Sequence, residues 1–373
     1  MAPLVRLNPH EPFSVSRFMT KLHRTDPRFT PYEKISMAAR DALRQEEPSA
    51  DELEYARCVE QAREHRNPFP FIYFQWESLR STNPKVHKAC RWSGEFDNPD
   101  DPPLKLEFWQ RQIIQAVFDP EVGELFIKGA TGVGKGACVG GIAMNALFDT
   151  HDICRLHMTS DGVSHAVQNI YSDFTSWRRQ MRMPGPGEIQ ATGTKDRERH
   201  YVEVLGARPN EGEKFSGRHS EFTVFVFDEA SAVPDVFYEN CLKNARKVIA
   251  LSNPRTVSGW FREGFRGLQD EDKTDYTIGP LGRRLCITVG GKDCTNVNKH
   301  RLKTPIAPIG GLKVGEHRYA SGDSILKEHL QFFKLLIPSQ IPYDRYQRIM
   351  SDPERWKRDC HGNGKLITEG VEL

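Results

Sequence analysis

Gly129-Ala130-Thr131-Gly132-Val133-Gly134-Lys135-Gly136 is the stretch on which the reading of this chain turns. Just before it, Leu125-Phe126-Ile127 has the makings of a short buried strand, and the run from Lys135 to Leu147 reads as a helix. A strand, a glycine loop and a helix start make an anion site, because unpaired N–H groups and the helix dipole point at one place. The pattern is that of a phosphate loop, G-x-x-x-x-G-K-[ST], at every fixed position but the last. Residues Gly129, Ala130, Thr131, Gly132, Val133, Gly134, Lys135, Gly136 and Ala137 are therefore expected to line the phosphates of ATP. Lys135 would place its charge at the β- and γ-phosphates.

The departure is at Gly136, where Ser or Thr would offer a hydroxyl to Mg²⁺. The metal must then be held by waters, by a carboxylate on another strand, or by Thr131. Glycine at the helix start is expected to leave room for a water, oriented by Asp228 or Thr131. The competing expectation is a degenerate site that binds nucleotide without hydrolysing it.

Carboxylates are at hand. Thr223-Val224-Phe225-Val226-Phe227 is a β-branched and aromatic run suited to a central parallel strand, and it ends in Asp228-Glu229. Acids at the C-terminal end of such a strand lie where open α/β sheets bind ligands. Asp228 is expected to hold Mg²⁺ and Glu229 to polarise the attacking water. A second buried run, Lys247–Leu251, ends in Ser252-Asn253-Pro254, and a polar pair there can sense the γ-phosphate. Ile153–Met158 supplies a further strand, followed by a helix from about Val163 to Met183. Phe108-Trp109-Gln110-Arg111 opens a helix upstream, where Gln110 can read the adenine edge or simply be a surface glutamine.

In this order the chain resembles the large terminase subunit of tailed bacteriophages, the ATP-driven motors that pack DNA into proheads. The likeness rests on Trp109-Gln110, the glycine loop, Thr159-Ser160 with Gln168, Glu213-Lys214-Phe215-Ser216-Gly217-Arg218-His219, the 224–235 run VFVFDEASAVPD and the 251–261 run LSNPRTVSGWF. It covers about residues 104–300. It implies that Lys135 is the Walker A lysine, Asp228-Glu229 the Walker B pair and Ser252-Asn253 the coupling motif. It also implies double-stranded DNA, a portal protein and prohead, and a small terminase subunit as partners, with a homo-oligomeric ring on the portal. The setting would be the host cell cytoplasm, with transient binding to the prohead. The loop lacks an arginine that some family members carry, so one from elsewhere is expected to act in trans; Arg155, Arg197, Arg199 and Arg218 are the candidates.

Composition is that expected of a water-soluble chain. Mean hydropathy is −0.59, and 27% of residues are charged. There is no apolar run long enough to span a bilayer, and the N-terminus lacks a signal-peptide pattern. Eight cysteines are scattered without a C-x-x-C pair, as expected of reduced thiols. Cys286, Cys294, Cys360 and His361 match no zinc template. A net charge of +2 is low for a dedicated DNA-binding domain. Local basic clusters (Arg178, Arg179, Arg182; Lys195, Arg197, Arg199, His200; Lys299, His300, Arg301, Lys303) read first as solvated faces and second as phosphate contacts.

The fold expected is α/β: a P-loop NTPase (RecA/ASCE-like) parallel sheet flanked by helices, with a mostly helical N-terminal region and a small C-terminal lid or linker region. The divisions are 1–103, 104–269 and 270–373. In the first region, helices start at Thr30-Pro31-Tyr32-Glu33 and at Ser49-Ala50-Asp51-Glu52. The aromatic stretch Asn67–Trp76 is a packing surface for the core, and Asp97–Pro103 is a linker. In the second, Pro184–Gly187 is a turn, and Glu188–Thr192 forms an edge hairpin with His200–Leu205. In the third, Arg284–Val289 is a strand, and Ser324–Leu336 and Tyr343–Met350 are helices. Asp293, Asp323, Asp344, Asp352 and Asp359 do not follow strong strands, so nuclease activity is not expected in this chain and a separate nuclease is possible. A helicase is the alternative motor, but it needs a second motor domain for which little sequence remains.

Overall fold

The computed structural model describes residues 50–76, 104–183, 187–197, 200–207, 215, 222–268, 270, 274–294, 297, 334–335, 341 and 343–367. The N-terminal helix to about Gln45, the linker at 97–103, most of the Pro-Gly turn and all of 213–219 except Phe215 lie outside them.

Strand β2 (Val122–Gly129) is buried along its whole length. It sits inside a nine-stranded sheet of order β4-β5-β6-β3-β7-β8-β2-β10-β9. The other strands are β3 (Cys154–Ser160), β4 (Glu188–Gln190), β5 (Gly193–Arg197), β6 (His200–Gly206), β7 (Thr223–Asp228), β8 (Lys247–Ser252), β9 (Asp275–Gly279) and β10 (Gly282–Val289). From β6 to β10 in that order, the six central strands are parallel. Antiparallel strands close the two edges. A separate two-residue pair joins β1 (Leu104–Lys105) to β11 (Lys334–Leu335).

Alternation along each strand divides the apolar residues between two cores. Val224 and Val226 of β7 face one layer with Leu125, Ile127, Ile249 and Leu251. Phe225 and Phe227 face the other with Phe126, Val248 and Ala250. The first layer is covered by α1 (Ala50–Arg63), α2 (Phe69–Trp76), α3 (Phe108–Phe118), α4 (Met144–Thr150), α5 (Val163–Ala166) and α6 (Ser172–Arg178). The second is covered by α7 (Asp235–Leu242) and α8 (Trp260–Glu263). Phe215 stacks there on Phe225 and Phe227. This is a mixed α/β fold, a mostly parallel sheet flanked by helices, with β8 inserted between the glycine-loop strand β2 and the acidic strand β7.

The aromatic stretch packs on the core as α2: Trp76 Nε1 donates to Trp177 O at 3.1 Å, and the two indoles meet edge to face. Four expectations need correcting. The sheet does not stop at 269, because β10 pairs with β2 as far as Val289 opposite Gly129. The edge hairpin is a three-strand meander: β5 lies between β4 and β6, and Gly193 lets it approach Val202 O. Lys334–Leu335 is paired as strand rather than helix, the rest of 324–333 lying outside the described residues. Arg178 is no phosphate contact: it is buried and ion-paired with Asp149 at 2.8 Å.

Both helices facing the glycine loop contain π-helical turns, Ala137–Ala143 leading into α4 and Val167–Tyr171 leading into α6. Their close approach is set by glycine. A Cβ on Gly140 would lie 2.6 Å from Ile170 Cδ1, and one on Gly141 would lie 2.3 Å from Trp177 Cδ1. Helix α9 (Tyr343–Met350), α10 (Arg355–Lys357) and a π-helical turn at Arg358–Asn363 bring the C-terminal segment back to the loop.

Candidate nucleotide site

Three neighbouring strand ends meet at the glycine loop. Gly132 and Gly134 have φ of 77° and 96°, a region that disfavours any side chain. Val133 is buried and anchors the loop between them. Ala130 N–H donates to Val289 O at 2.8 Å, extending the β2–β10 pairing past the strand end. Lys135 Nζ donates to Gly129 O and Ala130 O, both at 3.1 Å, and reaches Asn253 Oδ1 at 3.5 Å. Gly129 makes room for this, since a Cβ there would sit 3.0 Å from Lys135 Cδ.

Asp228 ends β7, and Glu229 follows at φ 48°, an uncommon conformation for a residue with a side chain. Strain of this kind persists where surrounding contacts over-determine it. Here Ser252 Oγ donates to Glu229 Oε2 at 3.4 Å, and Ser231 Oγ lies 2.8 Å from Ser252 Oγ. Burial, then the Glu229 charge, pushes the Asp228 carboxyl up to about 7, while Lys135 pulls it down and Asp173 adds to the rise. Burial lowers the Lys135 ammonium, opposed by Glu229 and Asp228. The attraction between Lys135 and Asp228 thus offsets only part of the cost of burial, which leaves the carboxyl raised and the ammonium lowered.

Asn253 is the hub. Its Nδ2 donates to Gly129 O at 3.0 Å and to Thr131 Oγ1 at 2.9 Å. Thr131 Oγ1 in turn lies 2.8 Å from His361 Nδ1, and Thr131 N–H donates to His361 O at 3.1 Å. The Thr131 hydroxyl, expected to orient or bind the metal, lies between Asn253 and His361 and so joins the end of β8 to the C-terminal segment.

Two more expectations change. Gln110 is buried, and its Oε1 accepts from Glu107 N–H at 3.0 Å to cap α3, so its amide carbonyl serves the helix rather than an adenine edge. The space beside Gly136 is not left for a water. A Cβ at Gly136 would lie 2.5 Å from Asp173 Oδ2, a carboxylate carried by the first turn of α6. Burial pushes the Asp173 carboxyl up to about 6. Ala137 continues the helix beside it.

Asp173, His361 and Arg255 have no motif around them that marks a site. The one hint of Asp173 is the missing hydroxyl at 136. Arg255 is exposed, two residues past Asn253, and its charge helps lower Lys135 and His361. Of the arginines expected to act in trans, Arg155 stands at the start of β3, the far end of the parallel strands from the loop, over the Tyr201 ring. Arg199 and Arg218 lie outside the described residues, as does the side chain of Arg197. Among the described residues no three His, Cys, Asp or Glu side chains form a metal-binding group, and no helix is long and apolar enough to cross a membrane.

Solved structures of phage terminases resemble this chain. The large terminase of a thermophilic bacteriophage is 14% identical with a TM-score of 0.39, covering 50% of this chain and 46% of its own. The same protein in complex with ADP is 16% identical with a TM-score of 0.38 over the same shares. A mutant ATPase domain of the Thermus phage P74-26 large terminase is 12% identical with a TM-score of 0.39, covering 76% of this chain and 99% of that domain. The chain therefore spans less than half the length of the first of these terminases. No family model and no curated protein matches.

Proposed function

We propose that this chain is a Mg²⁺-dependent ATPase that drives a viral DNA-packaging terminase, moving double-stranded DNA into a prohead. The observation that carries the reading is the convergence of Lys135, Asp228-Glu229 and Asn253 from β2, β7 and β8 at one end of a parallel sheet. The order of the sequence motifs supports the terminase setting.

Phosphoryl transfer needs positioning and charge stabilisation more than covalent help from the protein. The N–H groups from Val133 to Ala137 would cradle the phosphates, on a loop anchored by the Ala130 and Thr131 N–H groups. Lys135 would exchange the carbonyls of Gly129 and Ala130 for phosphate oxygens. Glu229, held by Ser252, would align the attacking water and take its proton. Asn253 touches both Lys135 and Thr131, so loss of the γ-phosphate can be relayed to His361. The carboxylate oxygens of Asp228 and Asp173 are hard donors of the kind Mg²⁺ takes. When bound, the metal would neutralise charge that develops on the phosphates.

The partners that follow are double-stranded DNA, the portal and prohead and a small terminase subunit, with a ring of copies on the portal in the host cytoplasm. Steady-state ATPase measured with and without double-stranded DNA and portal tests this. Turnover that rises with duplex DNA and leaves the strands paired is expected. Strand separation would make the chain a helicase, and nucleotide binding without turnover under any condition would make it an inactive subunit.

A further inference from the structure

Gly136 stands where the phosphate-loop pattern puts a hydroxyl, and its own backbone does not call for glycine. Its φ of −59° and ψ of −49° are ordinary helical values. What excludes a side chain is space. The two atoms that a Cβ would meet are Oδ2 and Cγ of Asp173, at 2.5 and 3.7 Å. An oxygen from another helix therefore occupies the volume in which the first atoms of a serine or threonine would lie.

We propose that Asp173 supplies the metal-binding oxygen that Gly136 cannot, so that Asp173 and Asp228 together hold the Mg²⁺ of a bound nucleotide. This rests on the ATPase reading above. Three features of the fold support it. Gly140 and Gly141 let the Val167–Tyr171 turn and α6 press against the Ala137–Ala143 turn, which brings Asp173 to the loop. The Asp173 carboxylate makes no hydrogen bond or ion pair within the described residues, and it is only partly buried, so its oxygens are open to a ligand. Asp228 ends β7 at the same end of the sheet as the glycine loop that follows β2. Two like charges drawn together beside a phosphate loop favour a divalent cation between them and the phosphates.

The proposal also explains why glycine and aspartate occur together. A hydroxyl at 136 and a carboxylate at 173 compete for one volume, so the chain carries one or the other. Carboxylate for hydroxyl adds a negative charge to the metal's surroundings, which should strengthen its hold on the metal.

The test is Mn²⁺ binding to the protein–ATP complex, read by electron paramagnetic resonance, alongside ATP affinity measured in EDTA. Asp173→Asn and Asp173→Ala should each weaken Mn²⁺ binding by about tenfold or more, the loss seen even when a supporting partner of a metal ligand is removed. ATP affinity without metal should not fall, because each variant removes a negative charge beside the phosphates. Gly136→Ser/Asp173→Ala should recover most of the lost Mn²⁺ affinity, because the hydroxyl then has both the role and the room. Mn²⁺ affinity unchanged in both single variants overturns the proposal and leaves the ATPase reading standing. A chain that binds no ATP, with or without metal, overturns both.

Discussion

Gly132 and Gly136 belong to the same loop and helix start but are glycine for opposite reasons. Gly132 has room for a side chain, the nearest atom to a Cβ being 3.6 Å away on Ile341, but its φ of 77° forbids one. Gly136 has a permissive backbone but no room, since Asp173 fills the place. Gly140 and Gly141 share the second reason, with Ile170 and Trp177 as the neighbours. The first kind of glycine shapes the cradle and is encoded locally. The second kind fixes how close another helix comes, and through it which side chain reaches the site.

The largest expected effect belongs to the cradle itself. Lys135→Ala should cut ATP turnover by at least about a hundredfold, the scale on which loss of one charge-stabilising donor acts, with little change in melting temperature. A rate above half of the native value would show that the loop does not hold the phosphates. Glu229→Gln should match that loss of turnover yet still bind ATP; weakened ATP binding instead would assign Glu229 to the cradle rather than to the water.

Next comes the helix contact. Gly141→Ala forces a methyl against Trp177 and should cost about 1–3 kcal/mol of stability, as overpacked cores do. Chemical denaturation would measure it, and ATP affinity of the folded fraction should be unchanged. Gly132→Ala should do the reverse, costing on the order of 1 kcal/mol of backbone strain that appears mainly as weaker ATP binding. If both variants lose stability and affinity in the same proportion, the two kinds of glycine are not distinct.

The smallest effect lies at the far end of the same helix. His151 follows α4, its Nδ1 bonded to Leu147 O at 3.0 Å and its ring stacked on Phe222. Burial pushes its imidazole down to about 4. The unfolded chain therefore binds a proton that the folded chain refuses between about pH 6.5 and 4. Stability from this group is present above that window and lost as pH falls through it. In His151→Asn the acid-side fall in melting temperature should be shallower by part of this contribution, with ATP binding unaffected. An unchanged slope would mean that the imidazole is already free to charge in the folded state.

Much of the central sheet was legible because each strand carries its own evidence. The apolar runs of β2, β7 and β8 are long enough to be buried on both faces, and each ends in the polar residues that open parallel sheets present to ligands. The C-terminal part was less legible. Arg284–Val289 reads as a strand, but nothing in it says that its partner is β2, which lies far away along the chain. Gln110 misled because a glutamine at a helix start can equally cap that helix, and only burial separates the two uses.

By itself, then, the sequence determined the glycine loop with Lys135, the acids at the end of β7 and the polar pair at the end of β8, because local backbone chemistry and alternation specify such features residue by residue. Tertiary structure alone decided that β10 completes the sheet, that His361 closes on Thr131, and that Asp173 fills the place of the missing hydroxyl. These depend on how closely helices and strands distant in sequence can approach. That distance is set by the small residues on the facing surfaces, which no local pattern reveals until the surfaces meet.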